Sequence, residues 1–472
     1  MHLGKKTKIV ATIGPVTEST EQLKKMLKAG MNVMRMNFSH GDFAEHQTKF
    51  DNLKKAIKET GLPCAVMQDL SGPKFRIGDF YQERVTLKKG DFITLTPEKI
   101  VGDEKRVSIN YPTLHKELKV GNIVMVDDGK KQFEVVEIKG DEIKCKILIG
   151  GDTKGRRGVN LPGAYLKVSS LTAKDKKDVV FGIKNNVDIV AFSFVRTGAD
   201  VTELREILDK AKSKAMIMAK IETQEAVDNI DEIIALSDAV MVARGDLAVE
   251  IGYENTPLVQ KMIIKKANEA GKPVITATQM LDSMIKSPVP TRAEVSDIAN
   301  AILDGTDAIM LSEESTLGEY PIEAVQMMTT IALKVENSEH HAEMLWGMHS
   351  HNIGVGHSTT LAAMEASEKV DAKYIVALTE FGYSARMVAR NRGHQPILVL
   401  TPNAVLFNQS CLMYGCYPMM VAKFKTFDEA LLNVKTMLTK NKLVKKGDRV
   451  VVVSGAPFGK TSESNVMLIE TI

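Results

Sequence analysis

Lys220 and Glu222 stand two residues apart in the apolar run Met216–Glu222. An extended backbone therefore carries both side chains on one face. The next apolar run, Ala239–Asp246, ends on a second carboxylate, Asp246. Adjacent strands lie about 4.8 Å apart, so Glu222 and Asp246 can hold one Mg2+ between them. Mg2+ accepts one or two carboxylates and completes its shell with water and a substrate oxyanion. Lys220 beside that site adds a positive charge for a phosphoryl or enolate oxygen. An ordinary Lys–Glu ion pair at a barrel rim is the competing reading. A second set lies in Val33–Ser39, where Arg35, Asn37 and Ser39 alternate along one face, with a glycine (Gly41) at the turn that follows. A guanidinium, an amide and a hydroxyl on one face suit a phosphate or carboxylate, although a neighbouring carboxylate would satisfy such an arginine equally well. In Val274–Gln279, Thr278 offers a hydroxyl for substrate contact or proton relay; the alternative is a structural strand threonine.

These residues need a frame, and the frame is written in eight short apolar runs. They are Lys8–Ile13, Val33–Ser39, Ala65–Asp69, Ile189–Arg196, Met216–Glu222, Ala239–Asp246, Val274–Gln279 and Ala308–Glu314. Each has the β-branched and small residues of a buried parallel strand, and helical pattern separates most of them. Eight such units predict a (β/α)8 TIM barrel, with chemistry at the C-terminal ends of its strands. Arg35, Asn37, Asp69, Lys220, Glu222, Arg244, Asp246 and Thr278 all fall at those ends. Between the third and fourth runs the pattern changes to short alternating stretches punctuated by glycines, from Pro73 to Leu166. That is an all-β module placed after strand three, where it would close over substrate as a lid. After a polar, histidine-rich stretch (Glu336–His357), β-α periodicity resumes as a separate C-terminal α/β domain with a mainly parallel sheet. The expected division is barrel 1–72, lid 73–166, barrel 167–345 and C-terminal domain 346–472.

A chain of 472 residues exceeds one core. Its net charge of +3 comes from mixed charges without a basic tail, which argues against nucleic acid. Four cysteines (Cys64, Cys145, Cys411, Cys416) are too few for a disulfide scaffold and fit reduced thiols. There is no apolar run of membrane-spanning length and no signal-peptide pattern. A cytoplasmic enzyme without membrane or nucleic-acid partners is expected.

The segments Lys8–Pro15, Asn32–Gly41, Asp69–Arg76, Gly158–Gly163, Ala219–Glu222, Met241–Leu247, Ala277–Met284, Pro290–Glu294 and Asp304–Ser312 resemble, in order, the motifs of pyruvate kinases. The resemblance extends through the lid and to Gly447–Gly459 in the last domain. It implies phosphoryl transfer from phosphoenolpyruvate to ADP, giving ATP and pyruvate as the last step of glycolysis. Carried over by position, Arg35 and Lys220 contact the transferring phosphoryl group, and Glu222 and Asp246 bind Mg2+ (or Mn2+). Gly245 and Thr278 hold the substrate carboxylate, with Asp246 beside them, and Thr278 is the candidate for the proton relay. Arg76 and Arg157 reach the nucleotide phosphates from opposite ends of the lid, with Asn37, Phe38, Ser39 and His40 lining that site. The resemblance also implies an allosteric homotetramer.

The sequence departs from the family at several positions. Many relatives carry a glutamate where this chain has Lys74 and a threonine where it has Leu70, and the glutamate form is associated with K+ held near Asn37, Ser39, Asp69 and residue 70. An ammonium at position 74 would replace that ion, with Leu70 and Ile77 as apolar neighbours, so that K+ is not required. Ala248 and Glu313 replace small residues after strand ends. The turn Thr379–Ser384 aligns with a loop that grips a sugar-phosphate effector in many relatives, and Glu380 and Phe381 stand there in place of small or hydroxyl residues. The histidines His340, His341, His349, His351 and His357 read as a solvated connector, and Cys411 and Cys416 as half-buried core. Two other functions use the same residues: a Mg2+-dependent barrel lyase acting on a pyruvate-like enolate, and a catalytically silent scaffold. The lid arginines count against the first, and the retention of Lys220, Glu222 and Asp246 against the second.

Overall fold

The computed structural model describes residues 4–339, 341, 354–457 and 463–472. Its centre is a closed barrel of eight parallel strands: β1 (Lys8–Thr12), β2 (Val33–Asn37), β3 (Ala65–Asp69), β12 (Ile189–Phe192), β13 (Met216–Ile221), β14 (Ala239–Ala243), β15 (Val274–Ala277) and β16 (Ala308–Leu311). Nearly every residue of these strands is buried. Parallel strands covered on both faces must be apolar almost throughout, which is why they appear as continuous runs. Successive side chains divide between two cores. Val10, Val33, Met67, Met218 and Met241 fill the barrel, while Ile9, Met34, Val66, Ile217 and Val240 pack outward against the helices. The helices begin on local caps: Thr172 and Thr291 head capping boxes, and the Asp42 carboxylate accepts from the Ala44 and Glu45 N–H groups to start helix Phe43–Thr60.

The lid comprises β4 (Val85–Leu87), β5 (Phe92–Thr96), β6 (Arg106–Ser108), β7 (Ile123–Val126), β8 (Lys131–Lys139), β9 (Glu142–Ile149), β10 (Gly151–Thr153) and β11 (Val159–Asn160). Six strands form one sheet in the order β11-β7-β8-β9-β5-β6, and β10 pairs with β4. Strand β9 buries Ile143, Cys145 and Ile147 against Phe133 and Leu95 and exposes the residues between, the two-residue period of a half-buried sheet.

The C-terminal unit is a five-stranded sheet, β19 (Cys416–Met420)-β18 (Ile397–Thr401)-β17 (Tyr374–Leu378)-β20 (Arg449–Ser454)-β21 (Val466–Thr471), parallel except for β21. It docks under the barrel: Cys411 and Leu412 join the barrel's inner core. Arg392 Nη2 meets Asp307 Oδ2 at 2.7 Å with both side chains buried. Cys411 and Cys416 are therefore fully buried rather than half-buried. The solvated-connector reading fails for His341, which is 1% exposed, and His357 is half-buried and hydrogen-bonded to Arg390. His340, His349 and His351 lie outside the described residues. Among the described residues no helix is long and apolar enough to cross a membrane.

Candidate active site

At the C-terminal end of the barrel, beneath the lid, lies a cavity of about 420 Å³. Arg35, Asn37, Asp69, Lys220, Glu222, Asp246 and Thr278 line it from the barrel. Ser39, Lys74, Arg76 and Arg157 line it from the surrounding loops and the lid.

The barrel floor is a charge network centred on Asp69. Arg35 Nε donates to Asp69 Oδ2 at 2.6 Å, and Arg35 Nη1 to Thr12 Oγ1 at 2.8 Å. Lys220 Nζ lies 3.2 Å from Asp69 Oδ1, 2.7 Å from Ser193 Oγ and 3.0 Å from Glu222 Oε1. Burial by itself would raise the Asp69 carboxyl, but the two cations beside it more than offset this and hold it below the ordinary range. Burial likewise disfavours the Lys220 ammonium, yet Asp69 and Glu222 outweigh it and push Lys220 up to about 12. Lys220 therefore stays charged, and the shortage of positive charge falls on the carboxylates. Burial pushes Glu222 up to about 7, with Asp246 adding to the shift and Lys220 opposing it. Asp246 is raised too, chiefly by burial.

Two carboxylates whose charged forms burial disfavours, facing one cavity, are a site short of a cation. Their hard oxygen donors fit Mg2+. Among the described residues no group of three or more His, Cys, Asp or Glu side chains could hold a metal. A two-carboxylate site leaves the remaining positions to water and substrate, as Mg2+ prefers.

The lid arginines arrive together because the two ends of the lid pair with each other. Arg76 bridges Gly158 across antiparallel backbone, and its Nη1 donates to the Arg156 carbonyl at 2.8 Å. Arg157 Nε stands 3.6 Å from Asp127 Oδ1. On the barrel side, Lys74 Nζ donates to Ser39 Oγ at 2.8 Å, and Asn37 Oδ1 accepts from Ser39 N–H at 3.0 Å. Partial burial and the neighbouring Lys220 lower the Lys74 ammonium, while Asp246, Asp69 and Glu222 pull it back up.

Several residues sit differently from their sequence-based placement. Asp246 does not end a strand: β14 stops at Ala243, and Asp246 lies in the first turn of helix Arg244–Ile251. It still reaches the cavity, where the positive end of the helix favours a carboxylate. Phe38 points away from the cavity, buried and stacked on His46 at 3.9 Å. His40 and Gly245 are exposed and outside the cavity lining, but Gly245 adjoins it, since a Cβ there would meet the Thr278 side chain at 3.7 Å. Leu70 is buried in the barrel core and Ile77 in the lid core. Arg244 is a strap rather than a ligand: it donates to Asp297 at 2.7 Å and to the Thr278 carbonyl at 2.8 Å. Thr278 is held at φ 72°, a conformation that a β-branched residue rarely adopts.

Sequence reasoning missed Ser193, which accepts from Lys220 and donates to the Leu70 carbonyl at 2.7 Å. Its position near the end of the fourth apolar run was the available signal. It also missed Glu250, one helical turn beyond Asp246, which accepts from the Leu161 N–H at 3.2 Å and ties the returning lid segment to the barrel.

Residues 4–325 match the family "Pyruvate kinase, barrel domain", and residues 357–470 match "Pyruvate kinase, alpha/beta domain". The chain is 42% identical over 476 residues to a pyruvate kinase of Geobacillus stearothermophilus, covering 99% of this chain and 80% of that protein. It is also 42% identical to a pyruvate kinase of Clostridium perfringens, covering 99% of this chain and 100% of the relative. The crystal structure of a pyruvate kinase from Cryptosporidium parvum superposes with a TM-score of 0.93 at 34% identity, covering 99% of this chain and 96% of that one. Fold, cavity and sequence thus agree along the whole length, and the chain belongs to the pyruvate kinase family.

Proposed function

We propose that this chain transfers the phosphoryl group of phosphoenolpyruvate to ADP, giving pyruvate and ATP. The observation that carries the reading is the pairing of two buried cations, Arg35 and Lys220, with two cation-short carboxylates, Glu222 and Asp246, around one cavity. Phosphoryl transfer is mostly positioning and charge neutralisation, and this arrangement offers both. Arg35 and Lys220 hold the phosphoryl oxygens. Gly245, through its backbone, and the Thr278 hydroxyl hold the substrate carboxylate. Glu222 and Asp246 would bind Mg2+, which supplies Lewis-acid charge at the phosphoryl and enolate oxygens. Arg76 and Arg157 take the nucleotide phosphates at the lid, next to the Asn37–His40 turn. Lys220 stays charged throughout transfer, so its attraction rises as negative charge develops on the departing enolate and the phosphoryl group in flight. Protonation of the enolate at carbon completes pyruvate, with Thr278 and a water as the relay. The strained backbone at Thr278 supports a functional role there, since such strain persists where function requires it. A lyase acting on an enolate would have no use for Arg76 and Arg157. Pyruvate formation measured with ADP, phosphoenolpyruvate or Mg2+ omitted in turn tests the reading; turnover without ADP would refute it.

Lys74, bonded to Ser39 beside Asp69, supplies the charge that K+ provides where a glutamate stands at this position. In the C-terminal domain the Thr379–Ser384 turn borders a cavity of about 320 Å³ that also receives Lys423 and Lys425. Glu380 Oε1 pairs with Lys423 Nζ at 2.9 Å, which neutralises one cation a phosphate would need. Fructose 1,6-bisphosphate should therefore activate weakly or not at all; strong activation lost on Ser384→Ala would overturn this. The working division is barrel 1–72 and 167–345, lid 73–166 and C-terminal domain 346–472, assembled as a cytoplasmic homotetramer.

A further inference from the structure

We propose that His46 is a positioning residue of the nucleotide site, holding the His40 carbonyl so that the Ser39–Gly41 turn keeps one conformation beside the cavity. The inference rests on the nucleotide reading of that turn given above. The turn leaves β2 through several tethers. The Phe38 N–H donates to the Asp69 carbonyl at 2.9 Å, and the Phe38 carbonyl accepts from Ser71 Oγ at 3.0 Å and Lys174 Nζ at 2.6 Å. Asn37 then anchors Ser39 through its side chain. These bonds fix the base of the turn, and at its tip His46 Nε2 meets the His40 carbonyl at 3.0 Å. Gly41 follows at φ 77°, a conformation that admits the reversal into the next helix.

The ring itself is fixed. It is 2% exposed, lies parallel to Phe38 at 3.9 Å and meets Phe181 edge-on at 6.4 Å. It stands in the first turn of helix Phe43–Thr60, which Asp42 caps. A carbonyl can only accept, so Nε2 carries the hydrogen and Nδ1 is the bare nitrogen. Nδ1 is buried without a hydrogen-bond partner, so this environment suits the neutral ring alone. Burial, with Lys49 adding to it, lowers the ring to about 4, which keeps it neutral near pH 7.

A merely structural histidine would change stability without distinguishing the two substrates. Three variants separate the cases: His46→Leu keeps the apolar packing without the donor, His46→Gln places an amide nitrogen where Nε2 lies, and His46→Asn places one where Nδ1 lies, short of the carbonyl. KM for ADP, KM for phosphoenolpyruvate, kcat and thermal midpoint are measured for each in the full-length protein. Loss of one buried hydrogen bond predicts a rise in KM for ADP of about tenfold for His46→Leu and His46→Asn. The phosphoenolpyruvate KM and kcat should stay near wild type, and His46→Gln should restore the ADP KM. An unchanged ADP KM in both His46→Leu and His46→Asn, or His46→Gln as impaired as they are, overturns the proposal. Arg76→Ala and Arg157→Ala are the controls. If they leave the ADP KM unchanged, the nucleotide reading fails and the proposal falls with it. If they raise it while His46→Leu does not, only the role of His46 fails.

Discussion

Replacing Lys220 by Met removes the one ammonium that touches Asp69, Ser193 and Glu222 at once. The surroundings can survive the change. Asp69 retains Arg35 at 2.6 Å, Glu222 retains the Phe194 N–H at 2.6 Å, and the methionine fills most of the lysine volume. What disappears is a full charge, buried and held in place, where the proposed reaction develops negative charge on phosphoryl and enolate oxygens. Losing a single neutral donor at such a point costs about 10²–10³ in turnover. A buried ammonium held up at about 12 is a stronger partner, so kcat should fall on the order of a thousandfold or more. If Arg35 meets the substrate phosphate as proposed, the phosphoenolpyruvate KM should change far less, the pattern of an interaction made chiefly in the transition state. The assay is initial-rate pyruvate formation at saturating ADP and Mg2+, with a thermal melt showing that the variant is folded. A folded variant retaining a tenth of wild-type turnover, or one that loses only substrate affinity, would remove Lys220 from the transition state.

Glu222→Ala and Asp246→Ala should each give a folded protein that needs far more Mg2+ and turns over slowly; unchanged Mg2+ dependence in both would place the metal elsewhere. Asp188, under the barrel, is pushed up by burial from 3.8 to about 6 while accepting from the Val66 N–H at 2.8 Å. The folded state therefore binds this proton more tightly than the unfolded chain, and the contribution of Asp188 to stability falls as pH rises from about 4 to about 6, then stays flat. Asp188→Asn keeps the acceptor and removes the titration, so its stability advantage over wild type should grow across that window towards about 3 kcal/mol by pH 7.5; an advantage that does not change with pH in urea titrations would contradict this. Activity should be nearly equal in Na+, K+ and tetramethylammonium buffers, and Lys74→Glu should create K+ dependence or abolish activity; a wild-type enzyme stimulated tenfold or more by K+ would refute the role of Lys74.

The barrel was legible because strands buried on both faces have to be written as short apolar runs, and their ends carried the charged residues that now share a cavity. The lid was legible from period-two alternation between glycines. The boundary after β14 was not. The apolar residues Leu247, Ala248 and Val249 continue past the strand as the buried face of a short helix, so composition alone could not show where β14 ends and Asp246 begins to ride on a helix. The direction of Phe38 was equally hidden, because an aromatic between Asn37 and Ser39 reads the same whether it lines a nucleotide or backs the turn. It backs the turn, stacked on His46. The burial of His341 and the docking of Cys411 and Leu412 into the barrel depend on contacts between distant segments, which no local pattern encodes.

The proposed reaction moves a phosphoryl group from phosphoenolpyruvate to ADP in this cavity. Phosphorus NMR of a mixture of phosphoenolpyruvate, ADP and Mg2+ tests it most directly, run in parallel with wild-type protein and Lys220→Met. Wild type should convert the phosphoenolpyruvate and ADP resonances into those of ATP, one for one and without inorganic phosphate, while Lys220→Met leaves the spectrum essentially unchanged over the same time. Release of inorganic phosphate without ATP, or equal conversion by the variant, would contradict the account.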